Sequence, residues 1–266
     1  MDDPVNYSGN CSNCGNELKN LYCEKCGQKK VELKDKSVKA FAVHFIEEFF
    51  TFDSKFFRTV KPLLFKPGFL THEYISGRFV RYVTPLKLYL FTSLISLLIM
   101  INLDSDVYTP LMEPRDDEDF NQQLIRPIME SKDMDEKEFK DKFNQNVNGN
   151  TAISLFFFMI AFSVILNLIY IYKHIFYVEH LVFTLHFFSM ILIMLTIGTL
   201  IEYIVSDILY LFLFVFPTIY LFLSIKKVYH VKWLNAVIPS LFLSFVYWIL
   251  LILWFYGLIV VGAFIT

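Results

Sequence analysis

Four cysteines lie in two CxxCG turns near the start of the chain, and they are its only cysteines: Cys11, Cys14, Cys23 and Cys26. The glycine after the second cysteine of each turn lets backbone amides point at sulfur. Each turn then directs two thiolates at one metal ion, and two facing turns complete a tetrahedron with no open ligand position. We therefore predict a structural Zn2+ in a zinc ribbon or knuckle over residues 1–30, and its folding depends on the metal.

Two alternatives to zinc are a pair of disulfides and a rubredoxin-like iron site. A cytoplasmic N-terminus is a reducing environment, which disfavours disulfides.

A second group of ionisable residues, Glu179, His180 and His186, falls near the start of an uncharged stretch. On a helix, Glu179 and His186 share one face two turns apart, while His180 points about 100° away. Ionisable groups at membrane depth are costly and suggest function by default. A proton or ion relay, or a metalloenzyme with further ligands, is one hypothesis. The further ligands would be His72, Glu73, His174 or His230.

The structural alternative for this group is that Glu179 pairs with Arg78, Arg81 or Lys173 in the headgroup zone. Only His186 would then be intramembrane. We favour this alternative, and we assign no catalytic residue.

A basic collar interleaved with aromatic residues precedes the first apolar stretch: Lys61, Lys66, Arg78, Arg81 and Lys87. Such a collar attracts anionic lipid headgroups of the inner leaflet. Nucleic acid could use the same charges. The chain through Lys87 holds 14 basic and 10 acidic residues, and this near balance makes nucleic acid the weaker interpretation.

The elements that position these residues are apolar helices. The chain is 55% hydrophobic with a mean hydropathy of +0.47, above the roughly 45–50% apolar share of soluble domains. Five uncharged stretches approach or exceed the ~20 residues that cross a bilayer: 88–103, 151–172, 181–201, 208–225 and 233–266. The first becomes a span if it starts near residue 83, and we expect it to direct insertion, because residues 1–40 lack a signal-peptide core.

The last stretch is too long for one upright helix. We expect an interfacial entry broken near Pro239, followed by a tilted span over 236–262. The predicted fold is thus an all-α polytopic membrane protein of about five transmembrane helices.

The sorting of charge predicts the orientation of these spans. There are 13 lysine and arginine residues before Val83, whereas the segment 104–150 has 13 acidic and 6 basic residues. Lysines also follow the second and fourth spans. Because basic residues stay in the cytoplasm, the pattern indicates an N-in, C-out topology with an acidic extracytoplasmic loop at 104–150.

Two further helices are predicted outside the spans. Phe41 to Val60 has the periodicity of an amphipathic helix ended by Lys61-Pro62, and we place it in the inner-leaflet interface within the cytoplasmic segment 31–82. A soluble helix packed on a domain would look the same. A short helix from Thr71 to Ser76 should stop at Gly77. In the acidic loop, Ser131 is a candidate cap for a helix with an apolar stripe of Met134, Phe139, Phe143 and Val147. A solvated, mobile loop is an equal alternative.

The cysteine turns, the run LLFKPGFLTHEYISGRFVRYVTPLKLYLFTS (63–93) and the run YVEHLVFTLHFFS (177–189) together resemble a bacterial membrane family of unknown function, common in Bacteroidota. The resemblance covers nearly the whole chain and implies an inner-membrane location without an activity. Members often carry a further histidine where this chain has Phe188, which argues against a fixed histidine metal site.

Taken together, these features favour a non-enzymatic inner-membrane scaffold or accessory protein whose zinc knuckle docks a cytoplasmic or membrane protein partner, or its own membrane domain. The alternative is a membrane-embedded enzyme or an ion- or proton-translocating protein that uses Glu179, His180 and His186.

Overall fold

The structure is a computed structural model that describes residues 9–30, 55–102, 131–132, 134–173, 175–202 and 215–266. These ranges are mostly helical and contain no strand beyond two isolated bridges near the N-terminus. The helices are α1 (Phe56–Phe65), α2 (Phe69–Ile75), α3 (Pro85–Asn102), α4 (Glu136–Ile169), α5 (Tyr177–Glu202), α6 (Phe216–Val228) and α7 (Trp233–Ile265). A 3-10 turn over Ile171–Lys173 follows α4.

Two of these helices are long and apolar enough to cross a membrane, over Tyr177–Ile201 in α5 and Trp233–Ile265 in α7. A third candidate is α4, if its two parts, Lys137–Thr151 and Ile153–Ile169, form one span despite a 42° bend between them. The apolar part of α3, Pro85–Ile99, is shorter. These helices are compatible with a membrane protein. The count of five spans stays a prediction.

Helix α5 lies at the centre of the described helices. In its apolar window 67% of the residues are buried, against 22% in α7. It packs against α2, α3, α4 and α6. An aromatic cluster fixes the middle of this core, where Phe188 of α5 lies 5.2 Å from Phe158 of α4, centroid to centroid. Phe188, at the position where a further histidine was considered, is therefore a packing residue.

Helices α4 and α7 run antiparallel along most of their length. At one end Tyr170 stacks on Tyr229, just before α7, and at the other Phe143 and Val147 pack against the region of Gly262. The predicted apolar stripe of the acidic segment is thus buried, against the C-terminal third of α7. Asp135, not Ser131, caps α4, and its side chain accepts a 2.7 Å hydrogen bond from the backbone N–H of Glu138. One helix therefore continues across the boundary expected at residue 151.

Two predicted helix breaks at proline do not occur. Helix α1 continues through Pro62 to Phe65, and α7 is one helix through Pro239. Each proline removes one intrahelical hydrogen bond. In an apolar setting the remaining backbone bonds still make a continuous helix the best solution.

Several predictions fall on residues outside the described ranges. They are the larger part of the amphipathic segment (41–54), most of the acidic loop (103–130), the start of the fourth predicted span (208–214) and His174.

Candidate metal centre and adjoining polar pocket

The four cysteines form a compact cluster in which every Sγ lies within 4.8 Å of the others. The Sγ atoms of Cys11 and Cys26 are 3.6 Å apart, and so are those of Cys14 and Cys23. Four thiolates about 2.3 Å from one zinc ion would have sulfurs about 3.8 Å apart. All four are free thiols, so no disulfide links them and the cluster could hold a metal ion.

The two cysteine turns have the same backbone hydrogen bonds. The N–H of Gly15 donates to the carbonyl of Cys11 and that of Gly27 donates to Cys23, each over 2.8 Å. Gly15 and Gly27 have φ of 74° and 72°, a left-handed conformation that glycine adopts without strain. Each turn is therefore a copy of the other, and Asn16 in the first turn corresponds to Gln28 in the second.

Of the two equivalent amides, only the one in the second copy bonds to the helical part of the chain. Gln28 is buried, and its side-chain amide donates to the backbone carbonyl of Gly77 and, over 3.1 Å, to the hydroxyl of Ser12. Ser12 donates to the same carbonyl over 3.2 Å. The side chain of Asn16 instead bonds the neighbouring Glu17 carbonyl at an exposed position. The cysteine knuckle (residues 9–30) is thus anchored on the loop after α2.

The anchor point is a helix C-terminus closed by a Schellman motif. The N–H of Arg78 donates to Glu73 and the N–H of Gly77 donates to Tyr74, both over 2.9 Å, with Gly77 at φ 75°. This geometry turns the carbonyl of Gly77 away from α2, where Gln28 and Ser12 reach it. The end of α2 after Ile75 agrees with the stop predicted at Gly77.

The collar residues occupy different environments. Lys61, Lys66 and Arg81 are exposed, and the Lys66 ammonium lies 5.6 Å from the centroid of the Phe69 ring. Lys87 is 5% exposed, so its side chain lies inside the protein rather than at the surface. The role of Lys87 as a headgroup contact stays a prediction.

Arg78 forms a two-pronged ion pair with Glu73, with contacts of 3.0 Å and 2.6 Å. The hydrogen bond from Arg78 holds the pKa of Glu73 below its ordinary value of 4.5. Arg78 was one of three possible partners predicted for Glu179, and the acid that Arg78 binds is Glu73.

Glu179, His180 and His186 do not converge on one point. His186 Nδ1 lies 3.0 Å from the Thr71 hydroxyl of α2, and His180 Nδ1 lies 2.7 Å from the Tyr229 hydroxyl. Both rings are buried. Within the described residues, the cysteines are the only group of potential metal ligands close enough to share an ion.

Glu179 instead lines a partly open pocket of about 400 Å³ where α2, the start of α5 and the α6–α7 turn meet. The polar lining residues are His72, Ser76, Lys173, Glu179, Tyr229 and His230. The His72 and His230 rings are 5.4 Å apart, and Lys173 Nζ donates to the Tyr229 carbonyl over 2.8 Å. The pocket thus gathers two imidazoles, one ammonium and one carboxylate.

Positive charges near His72 have a larger effect on its pKa than the negative charge of Glu73. Burial first, then the charges of Lys227, His230 and Arg78, hold the pKa of His72 below its ordinary 6.5, against the opposing effect of Glu73. Burial and nearby positive charge therefore both favour the neutral imidazole of His72.

Sequence reasoning missed the partners of these residues, Gln28 with Gly77, Thr71 with His186 and Tyr229 with His180. The one available signal was the glutamine that follows the second CxxCG turn in place of the asparagine after the first. His72 and His230 were named only as possible metal ligands.

The described chain is therefore mostly helical, with candidate membrane helices and a four-cysteine cluster able to hold a metal ion. Residues 53–97 match a family described as "Protein of unknown function (DUF3667)". The matched stretch includes α1, α2 and the Gly77 loop on which the knuckle docks. No curated protein and no solved structure matches the chain.

Proposed function

We propose that this chain is a non-enzymatic, multi-pass scaffold or accessory protein of the bacterial inner membrane, with about five spans and an N-in, C-out topology. Its cysteine knuckle binds one structural Zn2+ and docks on its own membrane domain. The observation that carries the proposal is the bond of Gln28 and Ser12 to the Gly77 carbonyl.

The docked knuckle lies on the loop that leads from α2 to α3. A closed four-thiolate zinc site supplies folding free energy and no chemistry of its own. Metal binding would therefore order the N-terminal domain on the collar, which places a rigid surface at the cytoplasmic face for a partner protein. Exposed Lys61, Lys66 and Arg81 would contact anionic headgroups beside it.

The histidine contacts support a scaffold over a catalyst. His186 ties α5 to α2 through Thr71, and His180 ties α5 to the α6–α7 turn through Tyr229. A catalytic or proton-carrying group would need side chains that converge on a shared atom. The enzyme or transporter alternative retains one supporting observation, since His180 Nε2 and the Tyr170 hydroxyl are buried without a hydrogen-bond partner among the described residues.

The test compares two equivalent amides. Purified reduced protein should contain one zinc per chain by elemental analysis, and Gln28→Ala and Asn16→Ala should both retain it. Only Gln28→Ala should increase hydrogen exchange at residues 77–83, because of the two amides only that of Gln28 bonds the Gly77 carbonyl. Chelation should raise exchange both there and at residues 9–30.

A protein without zinc would remove the metal from the proposal. Equal exchange at residues 77–83 in both variants and the wild type would remove the docking.

A further inference from the structure

The pocket between α2, α5 and the α6–α7 turn lies among side chains typical of a membrane surface. Tyr172 and Trp233, which flank the lining segments in the chain, are 64% and 59% exposed. Tyrosine and tryptophan concentrate at the level of lipid headgroups. The pocket lies at the ends of α4, α5 and α7, where apolar helices give way to lysines, so a headgroup could reach it from the bilayer.

The lining offers opposite charges to one ligand. Lys173 uses one ammonium hydrogen on the Tyr229 carbonyl and has two more to donate. A phosphate in the pocket could accept hydrogen bonds from Lys173, Ser76, His72 and His230. Glu179, in the first turn of α5, can accept several hydrogen bonds at once because a carboxylate has about four lone-pair sites. Ile75, Ile175 and Val228 supply an apolar wall.

The backbone of His230 determines where its ring lies in the α6–α7 turn. Its φ of 50° makes it the one non-glycine residue in the left-handed region among the described residues. His230 follows the C-cap residue of α6, a position where the left-handed conformation commonly ends a helix. This turn brings the His230 ring to 5.4 Å from the His72 ring, and both residues line the pocket.

We propose that this pocket binds a phosphoethanolamine headgroup, with the phosphate on Lys173, His72, His230 and Ser76 and the primary ammonium on Glu179. One fixed acid and one fixed base in the lining suit a zwitterion better than an anionic headgroup. An ammonium that donates hydrogen bonds suits Glu179 better than the trimethylammonium of choline, which has no N–H.

The source of the headgroup is either phosphatidylethanolamine in the bilayer or soluble phosphoethanolamine. The bilayer source rests on the membrane placement proposed above, which resistance to alkaline extraction tests by itself. If extraction releases the protein, the soluble arm still tests the pocket.

The experiment measures thermal stabilisation and native mass spectra of the full-length protein in detergent. It is titrated with phosphatidylethanolamine, phosphatidylcholine and phosphatidylglycerol, and in parallel with soluble phosphoethanolamine and phosphocholine. We expect at least tenfold tighter binding of the ethanolamine compound in one or both series. Glu179→Gln, which keeps the side-chain size, should remove that preference. Glu138→Gln, a carboxylate at the far end of α4, should leave it unchanged.

A response in the lipid series alone identifies the bilayer as the source, and a response in the soluble series alone identifies a soluble metabolite. A response in both series supports the headgroup site, and the tighter-binding compound identifies the source. Equal binding of ethanolamine and choline compounds by the wild type overturns the proposal. Should Glu179→Gln fail to fold, Ile175→Trp, which fills the pocket without removing a charge, must abolish ethanolamine binding. Binding that survives Ile175→Trp also overturns it.

Discussion

Single side chains connect separate parts of this molecule at the residue scale. Gly77 closes α2 and presents its carbonyl to the knuckle. Thr59 is fully buried and works in a similar way, since its hydroxyl donates to the carbonyl of Lys55 and accepts from the N–H of Val83. That contact links α1 to the chain entering α3. The bonds to the Gly77 carbonyl and to the Val83 N–H pair backbone groups of buried residues, and an unpaired group would be costly in an apolar setting.

The ion pair of Glu73 and Arg78 makes the stability of this region depend on pH. Because the folded-state pKa of Glu73 lies below its ordinary 4.5, the contribution is present above pH 4.5 and is lost as the pH falls through the folded value. Arg78 stays charged throughout. The carboxylate is 16% exposed and the guanidinium 34%, so we expect Glu73→Gln to cost about 1 kcal/mol at pH 7.

Thermal midpoints in detergent between pH 7 and pH 3.5 measure this effect. The difference between wild type and Glu73→Gln should be constant above pH 4.5 and shrink below it. Glu138→Gln is the matched control, because Glu138 pairs with Lys142 over 2.8 Å at an exposed site and should cost less than about 0.5 kcal/mol. A gap between wild type and Glu73→Gln that does not change with pH would contradict the assignment.

The cysteine cluster was predictable because its chemistry lies in local spacing. Two CxxCG turns define their own geometry, whichever surface they later contact. The pairing of Gln28 with Gly77 was not predictable, since it joins residues 49 positions apart and depends on how α2 ends in three dimensions. The same holds for His186, whose partner Thr71 lies on another helix.

At the scale of elements, close backbone approach explains two glycines. A methyl group on Gly68, the φ 72° residue before α2, would lie 2.9 Å from the Cα of Ser224 in α6. A methyl group on Gly262 in α7 would lie 2.7 Å from Cγ2 of Val147 in α4. Helices in a bilayer associate through packing rather than hydrophobic exclusion, and small residues let them come close. The two contacts hold opposite ends of the helix group.

Gly262→Ala should therefore loosen the contact of α4 with the end of α7. Val147 is buried and β-branched, so it has no alternative rotamer by which to yield. We expect a loss of about 1–3 kcal/mol, as for overpacked cores. Gly257→Ala in the same helix meets no atom within 4 Å and should be neutral or stabilising by up to about 1 kcal/mol.

Unfolding midpoints of the two variants in one detergent decide this prediction. Equal midpoints would show that α4 does not pack against α7 at Val147.

Apolar periodicity predicted the stripe of Phe139, Phe143 and Val147 but not the surface that buries it. The stripe lies in the polar half of α4, and its partner is the last third of α7, more than 100 residues later in the chain. The prolines did not mark the ends of the helices. Pro62 and Pro239 lie seven residues into their helices and interrupt neither, because one missing bond does not outweigh the others in the helix.

At the scale of the whole molecule, the directions of the described helices place basic residues at one end and acidic residues at the other. The end of α4, the start of α5 and the α6–α7 turn meet at the pocket, beside the loop that holds the knuckle. Lys173, Lys226, Lys227 and Lys232 lie at this end. The opposite end carries the start of α4 with Glu138 and Asp141, packed on the end of α7. Antiparallel packing of α4 on α7 is compatible with an N-in, C-out chain and equally with the inverse orientation.

The last prediction is the side of the membrane on which each end lies. Basic residues resist transfer across the bilayer, so the lysine-rich end should face the cytoplasm. A cysteine at Asp141, exposed near the start of α4, should react with a membrane-impermeant maleimide in intact cells. A cysteine at Lys227, exposed at the end of α6, should react only after permeabilisation. Asp117, in the acidic loop outside the described residues, should behave like Asp141. The zinc-bound cysteines should stay unreactive in both conditions, and wild-type protein measures that background. Labelling at Lys227 but not at Asp141 in intact cells would invert the topology and place the knuckle outside, where a reduced four-cysteine site would not be expected.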